Sequence, residues 1–191
     1  IIAAGWIGGE AVGQAHADGH DILRVIAPSA DDRAAAAAQK LGLPLVTLDG
    51  RNRVIAADIP DGIEMLLTIG STAFIEAAAW KKASRAAVGY HPSLLPRHRG
   101  IAAVDWTVKM GDPIAGGSIY HLSDGFDVGA VALQDWCFVK PGESAGDLWR
   151  RALTPIGLKL ARAILAHVRD HGTAPSHPQD ETFATQAPRL D

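Results

Sequence analysis

The first ninety residues alternate between short apolar runs and helix-forming stretches, and this alternation constrains the fold more than any other feature. The apolar runs at residues 1–4, 21–27, 44–48, 64–69 and 86–90 have the length and β-branched content of buried strands. A glycine turn at residues 5–9 leads into a helical stretch ending near residue 18, and further helices are predicted at 33–41 and 74–84. Residues 51–58 fit a helical turn. Such spacing is typical of right-handed β-α-β units with a parallel sheet.

The second half of the chain follows a different pattern. A helix is predicted at residues 102–110, two strands at 117–122 and 130–139, and a long helix at 144–170 that Pro155 must kink or interrupt. The predicted fold class is therefore α/β, a Rossmann-like open and mostly parallel sheet with helices on both faces and antiparallel strands in the C-terminal half. Residues 1–172 are expected to form one domain, and residues 173–191 a polar tail without a periodic element.

Composition excludes several classes of protein. Lys and Arg number 18 against 21 Asp and Glu, a net charge of −3, so no dominant basic surface for nucleic acid is expected. The single cysteine, Cys137, rules out an internal disulfide and a cysteine-rich zinc site. No apolar run approaches the ~20 residues of a membrane span. The chain begins at Ile1 without a methionine, so the start was removed or a few residues are missing; we see no signal peptide and expect a cytoplasmic protein.

The opening glycines provide only weak support for dinucleotide binding. Gly5, Gly8 and Gly9 do not follow the G-x-G-x-x-G spacing, and no acidic residue clearly ends the second strand to bind a ribose. A tight connection from strand to helix is the simpler explanation.

Two later segments carry groups suited to catalysis. The first is Tyr-His-Pro-Ser-Leu-Leu-Pro-Arg-His-Arg-Gly at residues 90–100, where a histidine ends a strand and two prolines stiffen the loop after it. Open α/β sheets bind ligands at this end of their strands. The second is Leu-Ser-Asp-Gly-Phe-Asp-Val-Gly at residues 122–129, between two strands. One helix and one strand separate His91 from Asp127, so both can reach the same edge of the sheet.

These two segments together resemble the folate-dependent formyltransferase family. That family includes methionyl-tRNA formyltransferase, glycinamide ribonucleotide formyltransferase and the hydrolase domain of 10-formyltetrahydrofolate dehydrogenase. The resemblance runs from about residue 1 to residue 165 and is strongest over residues 90–134. The sequence of residues 90–100 is most similar to that of the hydrolase domain of the dehydrogenase. Residues 178–190 resemble the stretch after the catalytic domain in methionyl-tRNA formyltransferases.

The resemblance implies the formyltransferase fold and assigns catalytic roles to His91 and Asp127. A histidine titrating near neutral pH can stabilise an oxyanion or move a proton, and a neighbouring carboxylate can hold the imidazolium form and orient an attacking group. The chain departs from the family at Gly89, where transferases usually carry an asparagine that donates to the oxyanion. Loss of one such donor costs roughly 10²–10³ in rate in other systems. His91 as a cation, a backbone N–H or a water must then supply that hydrogen bond.

The remaining candidate residues have smaller roles. Arg97 and Arg99 are expected to bind an acceptor or the glutamate tail of a folate, with solvated side chains as the alternative. His98, between them, is expected at the surface. Trp136 is expected to pack in its strand. Residues expected to contact the folate are Leu67, Ile69, Ser123, Asp124 and Gly125. No metal is expected, because the histidines lack ligand spacing with acidic or cysteine partners.

Three functions follow from these residues. The first is a formyltransferase that uses 10-formyltetrahydrofolate, as formyl donor and co-substrate, to formylate an amine of a small molecule. The second is a hydrolase releasing formate and tetrahydrofolate, and the third is a catalytically weak folate-binding relative. The partners expected are small molecules, with no membrane, and tRNA is not expected because the chain is acidic. A homo-oligomer is left open.

Overall fold

A computed structural model describes residues 1–190 of the chain, which form two compact units. The first unit contains Ile1–Gly89 together with Ala161–Ala174. The second contains Tyr90–Leu160 together with the residues from Pro175 onward. The expected division into a domain of residues 1–172 and a tail of 173–191 stays a prediction.

The first unit is built on parallel strands. Its strands are β1 (Ile2–Ala3), β2 (Val25–Ala27), β3 (Leu45–Thr47), β4 (Arg53–Val54), β5 (Met65–Ile69), β6 (Phe74–Ile75) and β7 (Ala86–His91), the last of which ends in the second unit. Five of them pair in the order β3-β2-β1-β5-β7, with Ile2 opposite Thr68 and Thr68 opposite Gly89. Consecutive strands that pair in parallel, such as β1 with β2 and β2 with β3, need a crossover connection and cannot be joined by a hairpin.

The α-helices that lie wholly within the first unit are α1 (Gly5–Ala17), α2 (Arg33–Lys40) and α3 (Ala77–Trp80). Asp32 caps α2 by accepting from the N–H of Ala34 at 2.7 Å. The glycines predicted to form a turn lie inside α1 instead. A Cβ on Gly9 would sit 3.0 Å from the carbonyl oxygen of Arg33, so the close approach of α2 accounts for this glycine.

Local sequence pattern is misleading at two places in this unit. The predicted helix at 74–84 begins as strand β6, and a helix occupies only Ala77–Trp80. The predicted helical turn at 51–58 contains strand β4 followed by a 3-10 turn at Ala56–Asp58. Both errors have one cause, because β4 and β6 pair with each other in parallel, and this pairing leaves no signal in either segment alone.

The second unit adds the antiparallel strands. It contains α4 (Ala103–Lys109), β8 (Ile114–His121), β9 (Val131–Phe138), α5 (Ala145–Leu148) and the start of α6 (Thr154–His171). β8 and β9 pair antiparallel, and Ala115, Leu148, Ala152 and Leu153 form a buried cluster. The mostly parallel sheet with antiparallel strands in its C-terminal half confirms the predicted fold class.

The long helical segment is interrupted near Pro155, as expected. A π-helical turn at Trp149–Leu153 lies between α5 and α6, and Pro155 follows it as the second residue of α6. Among residues 1–190, no helix is both long and apolar enough to cross a membrane. Trp136, expected to be packed, is 55% exposed, because the alternation of β9 turns it to the open face beside Phe138.

Candidate active site

The loop after β7, residues 92–100, is fixed by side chains of the antiparallel strands, and we call it the proline loop. The hydroxyl of Ser118 donates to the carbonyl of Ser93 at 2.6 Å and accepts from the N–H of Leu95 at 3.1 Å. The amide of Gln134 donates to the carbonyl of Leu95 at 3.0 Å. The Leu95–Pro96 peptide is cis. The loop is therefore held in one shape without any ligand.

His91 ends β7 with both ring nitrogens facing a defined partner, and only 7% of the residue is exposed. Its Nε2 lies 2.8 Å from the carbonyl oxygen of His98. Because a carbonyl only accepts, Nε2 carries a proton. Its Nδ1 lies 3.5 Å from Oδ2 of Asp127. The neutral ring thus keeps the lone pair of Nδ1 on the carboxylate side, and a second proton taken up there faces a negative charge.

Asp127 belongs to the loop between β8 and β9, residues 122–129, which we call the acid hairpin. Its backbone is in the left-handed region, at a φ of 56°. Its Oδ2 accepts from the N–H of Gly100 at 2.8 Å, so the end of the proline loop fixes the same oxygen that faces His91. Its carbonyl accepts from the side-chain amide of Gln179 at 2.8 Å.

Tyr120 completes the Nδ1 side of the histidine. Its ring packs edge-on against the imidazole of His91, with centroids 6.4 Å apart at 87°. Burial, the charge of Asp127 and a hydrogen bond between the phenol and this carboxylate raise the pKa of Tyr120 well above its ordinary value of 10.0. The phenol therefore stays protonated at neutral pH, beside the carboxylate of Asp127.

On the opposite side, His98 is buried, which corrects the prediction that it lies at the surface; it is 2% exposed. Its Nε2 lies 2.7 Å from Oδ2 of Asp112, and its backbone has a φ of 57°. Arg97 holds the same carboxylate at two points, 2.7 and 2.6 Å. The Arg97 guanidinium, and secondarily His98, hold the pKa of Asp112 below its usual range. This cluster fixes His98, whose carbonyl accepts the hydrogen bond from Nε2 of His91.

Arg99 is buried, and its side chain is bonded to the C-terminal stretch of the chain. Only 4% of it is exposed, and its guanidinium donates to Oε1 of Gln179 at 3.0 and 2.7 Å and to the carboxylate of Glu181 at 2.8 and 2.7 Å. The ion pair with Glu181 raises the pKa of Arg99. The solvated side chain considered as the alternative is therefore wrong for Arg99. The side chain of Arg97 is 39% exposed. Acceptor binding by either arginine stays a prediction.

The structure places the other predicted site residues without testing their roles. Leu67 and Ile69 are each 1% exposed and belong to the core of the first unit, and Gly89 of β7 pairs with Thr68 of β5. In the acid hairpin, Ser123 donates to the carbonyl of Gly125 at 3.2 Å, and Asp124 and Gly125 are exposed. Folate contact by these residues stays a prediction.

Sequence reasoning missed Tyr120, Asp112 and Gln179. Tyr120 lies in a predicted strand, and the period of two does not say which strand residue meets His91. Asp112 follows a helix, and Gln179 lies in the aperiodic C-terminal stretch; nothing local marks either of them. Within residues 1–190, no three His, Cys, Asp or Glu side chains converge in a way that could hold a metal ion.

Comparison with known proteins points in one direction. A family model described as formyl transferase matches residues 62–164, more than half of the chain. The mitochondrial 10-formyltetrahydrofolate dehydrogenase of Mus musculus is 35% identical over 97% of this chain but only 21% of its own length. The methionyl-tRNA formyltransferase of Syntrophus aciditrophicus (strain SB) is 35% identical over 54% of this chain and 32% of its own length. The chain thus spans about a fifth of the first relative and a third of the second.

Solved structures agree in fold. The phosphoribosylglycinamide formyltransferase from Bacillus halodurans superposes with a TM-score of 0.76 at 16% identity, covering 90% of this chain and 94% of that one. The N-formyltransferase from Helicobacter canadensis, solved with folinic acid and dTDP-3-aminofucose, has a TM-score of 0.76 at 14% identity, covering 98% of this chain and 69% of that one. At such identities the likeness concerns the fold alone.

Proposed function

Since this chain belongs to the formyl transferase family, we propose that it cleaves the formyl group from 10-formyltetrahydrofolate and passes it to a small acceptor. The observation that carries the proposal is the pairing of His91 with Asp127, in which one nitrogen of the ring is fixed and the other faces a carboxylate. The relative named as a mitochondrial 10-formyltetrahydrofolate dehydrogenase, at 35% identity over 97% of this chain, supports the choice of formyl donor.

His91 supplies the proton and the positive charge that formyl transfer needs. Attack on the formyl carbon forms a tetrahedral centre whose oxygen carries negative charge, and the departing N10 of the folate must gain a proton when its bond to carbon breaks. Because Nε2 is bonded to the carbonyl of His98, Nδ1 is the atom that exchanges protons. The protonated ring stabilises the oxyanion, and its Nδ1 proton goes to N10.

Asp127 stabilises the positive charge that develops on the ring of His91 during the transfer. Its Oδ2 lies 3.5 Å from Nδ1, and hydrogen bonds in free enzymes often shorten once substrate is bound. The carboxylate also orients the incoming nucleophile and accepts the proton that the nucleophile loses. The N–H of Gly100, which donates to Oδ2, and the neighbouring phenol of Tyr120 hold the carboxylate in place.

A small amine is the first acceptor we propose. The family model describes formyl transferases, and the net charge of −3 disfavours a bulky polyanion such as tRNA. The side chain of Asp127 is 13% exposed, so a small nucleophile can reach part of its carboxylate.

Water is the second acceptor we propose, and Gly89 is the observation that favours it. A glycine offers no side-chain amide to the oxyanion two residues before His91. The hydrolase domain that the wording of residues 90–100 resembles also lacks that amide, and there water accepts the formyl group. Hydrolysis yields formate and tetrahydrofolate.

One experiment separates these acceptors. The purified chain is mixed with 10-formyltetrahydrofolate, with and without amino sugars and amino-acid derivatives, and tetrahydrofolate, formate and N-formyl product are quantified. Transfer predicts release that accelerates with one class of amine and N-formyl product equal to the tetrahydrofolate formed. Hydrolysis predicts equal release without amine and formate in the same amount. No release under either condition would contradict the proposed function.

A further inference from the structure

The C-terminal segment, residues 175–188, is aperiodic in sequence but folds against the active site, and we call it the strap. The main chain of Arg99 makes two hydrogen bonds to the strap. Its N–H donates to the carbonyl of Thr185 at 2.8 Å, and its carbonyl accepts from the N–H of Ala187 at 2.6 Å. Near its start, the strap pairs with β9 through two backbone hydrogen bonds between Val131 and His177, at 2.8 and 2.9 Å. The strap therefore contacts the proline loop and the strand that follows the acid hairpin.

Both polar atoms of the Gln179 side-chain amide, in the strap, make hydrogen bonds to residues of the proline loop and the acid hairpin. Its nitrogen donates to the carbonyl of Asp127 at 2.8 Å and to the carbonyl of Gly129 at 2.7 Å. Its oxygen accepts twice from Arg99, at 3.0 and 2.7 Å. A glutamine offers two donors and one oxygen with two lone pairs, so no hydrogen-bonding capacity of this amide is left over.

Arg99 fixes the orientation of that amide. Its side chain is 5% exposed and lies between Gln179 and Glu181, whose carboxylate it contacts at two points. The side chain of Glu181 is 70% exposed, so water screens this ion pair and its contribution is modest. The order of importance along the strap is therefore Gln179 first and Glu181 second.

The main chain at Asp127 needs such a restraint. A left-handed backbone disfavours residues with a Cβ, and it persists where the surroundings impose it. The tip of the acid hairpin before Asp127 is exposed, at residues 124–126. The two bonds from Gln179 and the bond from the N–H of Gly100 to the carboxylate hold this turn from the strap and from the proline loop.

We propose that Gln179 is a positioning residue that holds the carboxylate of Asp127 in reach of Nδ1 of His91, with Arg99 and Glu181 as its supports. The proposal rests on the proposed function for its rate effect, since His91 and Asp127 are the groups that act on the formyl donor. A displacement of about 1 Å at such a site can cost on the order of 10²-fold in rate.

The test replaces Gln179 with leucine, which keeps bulk and removes every hydrogen bond of the amide. Thr182→Ala is the matched control in the same strap, because the hydroxyl of Thr182 bonds only Asp180. Two quantities are measured: the hydrogen-exchange rate of the Gly100 amide by NMR, and kcat and KM for formyl release. We expect Gly100 to exchange at least about tenfold faster and kcat to fall about tenfold to hundredfold, with KM within about twofold and the control unchanged.

Glu181→Gln is the second variant, for the case in which Gln179→Leu does not fold. It removes a charge from an exposed side chain, so we expect a loss in kcat of about threefold with the same KM. Unchanged Gly100 exchange and unchanged kcat in a folded Gln179→Leu protein would overturn the proposal, as would a rise in KM at constant kcat. If the native chain releases no formyl group, the proposed function fails, and the Gly100 exchange rate still decides whether Gln179 holds the hairpin.

Discussion

On its Nε2 side the imidazole of His91 meets a main-chain carbonyl, and on its Nδ1 side it meets a carboxylate. The carbonyl belongs to the proline loop, where His98 is 2% exposed and anchored by Asp112. The carboxylate belongs to the acid hairpin, whose tip is exposed and whose Asp127 is held by the strap.

The carbonyl on one side of His91 and the carboxylate on the other are suited to two different tasks. A neutral carbonyl in a rigid loop can orient the ring and fix its tautomer, but it cannot take up a proton. A carboxylate at an accessible turn can stabilise a protonated ring and meet an incoming molecule. Damage to the hairpin side should therefore lower the rate at unchanged stability, whereas damage to the loop side should lower stability first.

Asp127→Asn should have the largest effect. The amide oxygen can still accept from the N–H of Gly100, but the charge facing Nδ1 of His91 is lost. We expect kcat for tetrahydrofolate release to fall by about 10³-fold, within the range of general acid–base contributions, with little change in folate affinity. Asp105→Asn, at an exposed position of α4, is the control and should keep native kcat. A loss below threefold would remove Asp127 from the mechanism.

Asp112→Asn tests the loop side and should act on stability. Loss of the charge held by Arg97 and His98 should lower the free energy of unfolding at pH 7 by about 1–3 kcal/mol, in denaturant titration. Because the pKa of Asp112 is lowered in the folded state, this contribution is present above its unfolded pKa and is lost as pH falls through the folded pKa. The gap between native protein and variant should therefore narrow below about pH 4. A gap that stays constant down to pH 3 would contradict this assignment.

Tyr120→Phe should have the smallest effect. The phenyl ring keeps its edge-on contact with His91, and only the hydrogen bond to Asp127 is lost. We expect kcat to fall about threefold to tenfold, the equivalent of about one hydrogen bond, with unchanged thermal stability. A loss of more than hundredfold would indicate that the phenol contacts the reacting atoms itself.

The same contrast explains what the sequence could predict. His91 and Asp127 stand in short motifs with prolines and glycines around them, so their pairing could be proposed from residue types and spacing. The burial of His98 could not be predicted, because its partner Asp112 lies after a helix and a contact over that separation leaves no periodic pattern in the sequence. Gln179 acts across 52 residues of chain, from a segment whose pattern predicts no element.

The fold follows the same rule. Strand β5 could be located from its apolar content, and α2 from its helix-forming residues. The pairing of β4 with β6 could not be predicted. The segment that begins at Phe74 has a helical pattern, and it is a strand because it pairs with Arg53 and its neighbour in β4. The exposure of Trp136 could not be predicted either. An aromatic side chain can be buried or exposed, and the face of β9 on which Trp136 lies decides between the two.

The most direct test of the two-sided site is the tautomer of neutral His91. Nitrogen-15 NMR of histidine-labelled protein at alkaline pH distinguishes the protonated ring nitrogen from the bare one, with assignment by the loss of one signal in His91→Gln. The account predicts a proton on Nε2, bonded to the carbonyl of His98, and a bare Nδ1 toward Asp127. A proton on Nδ1 and a bare Nε2 would contradict it, because the nitrogen assigned to proton exchange would then be the wrong one.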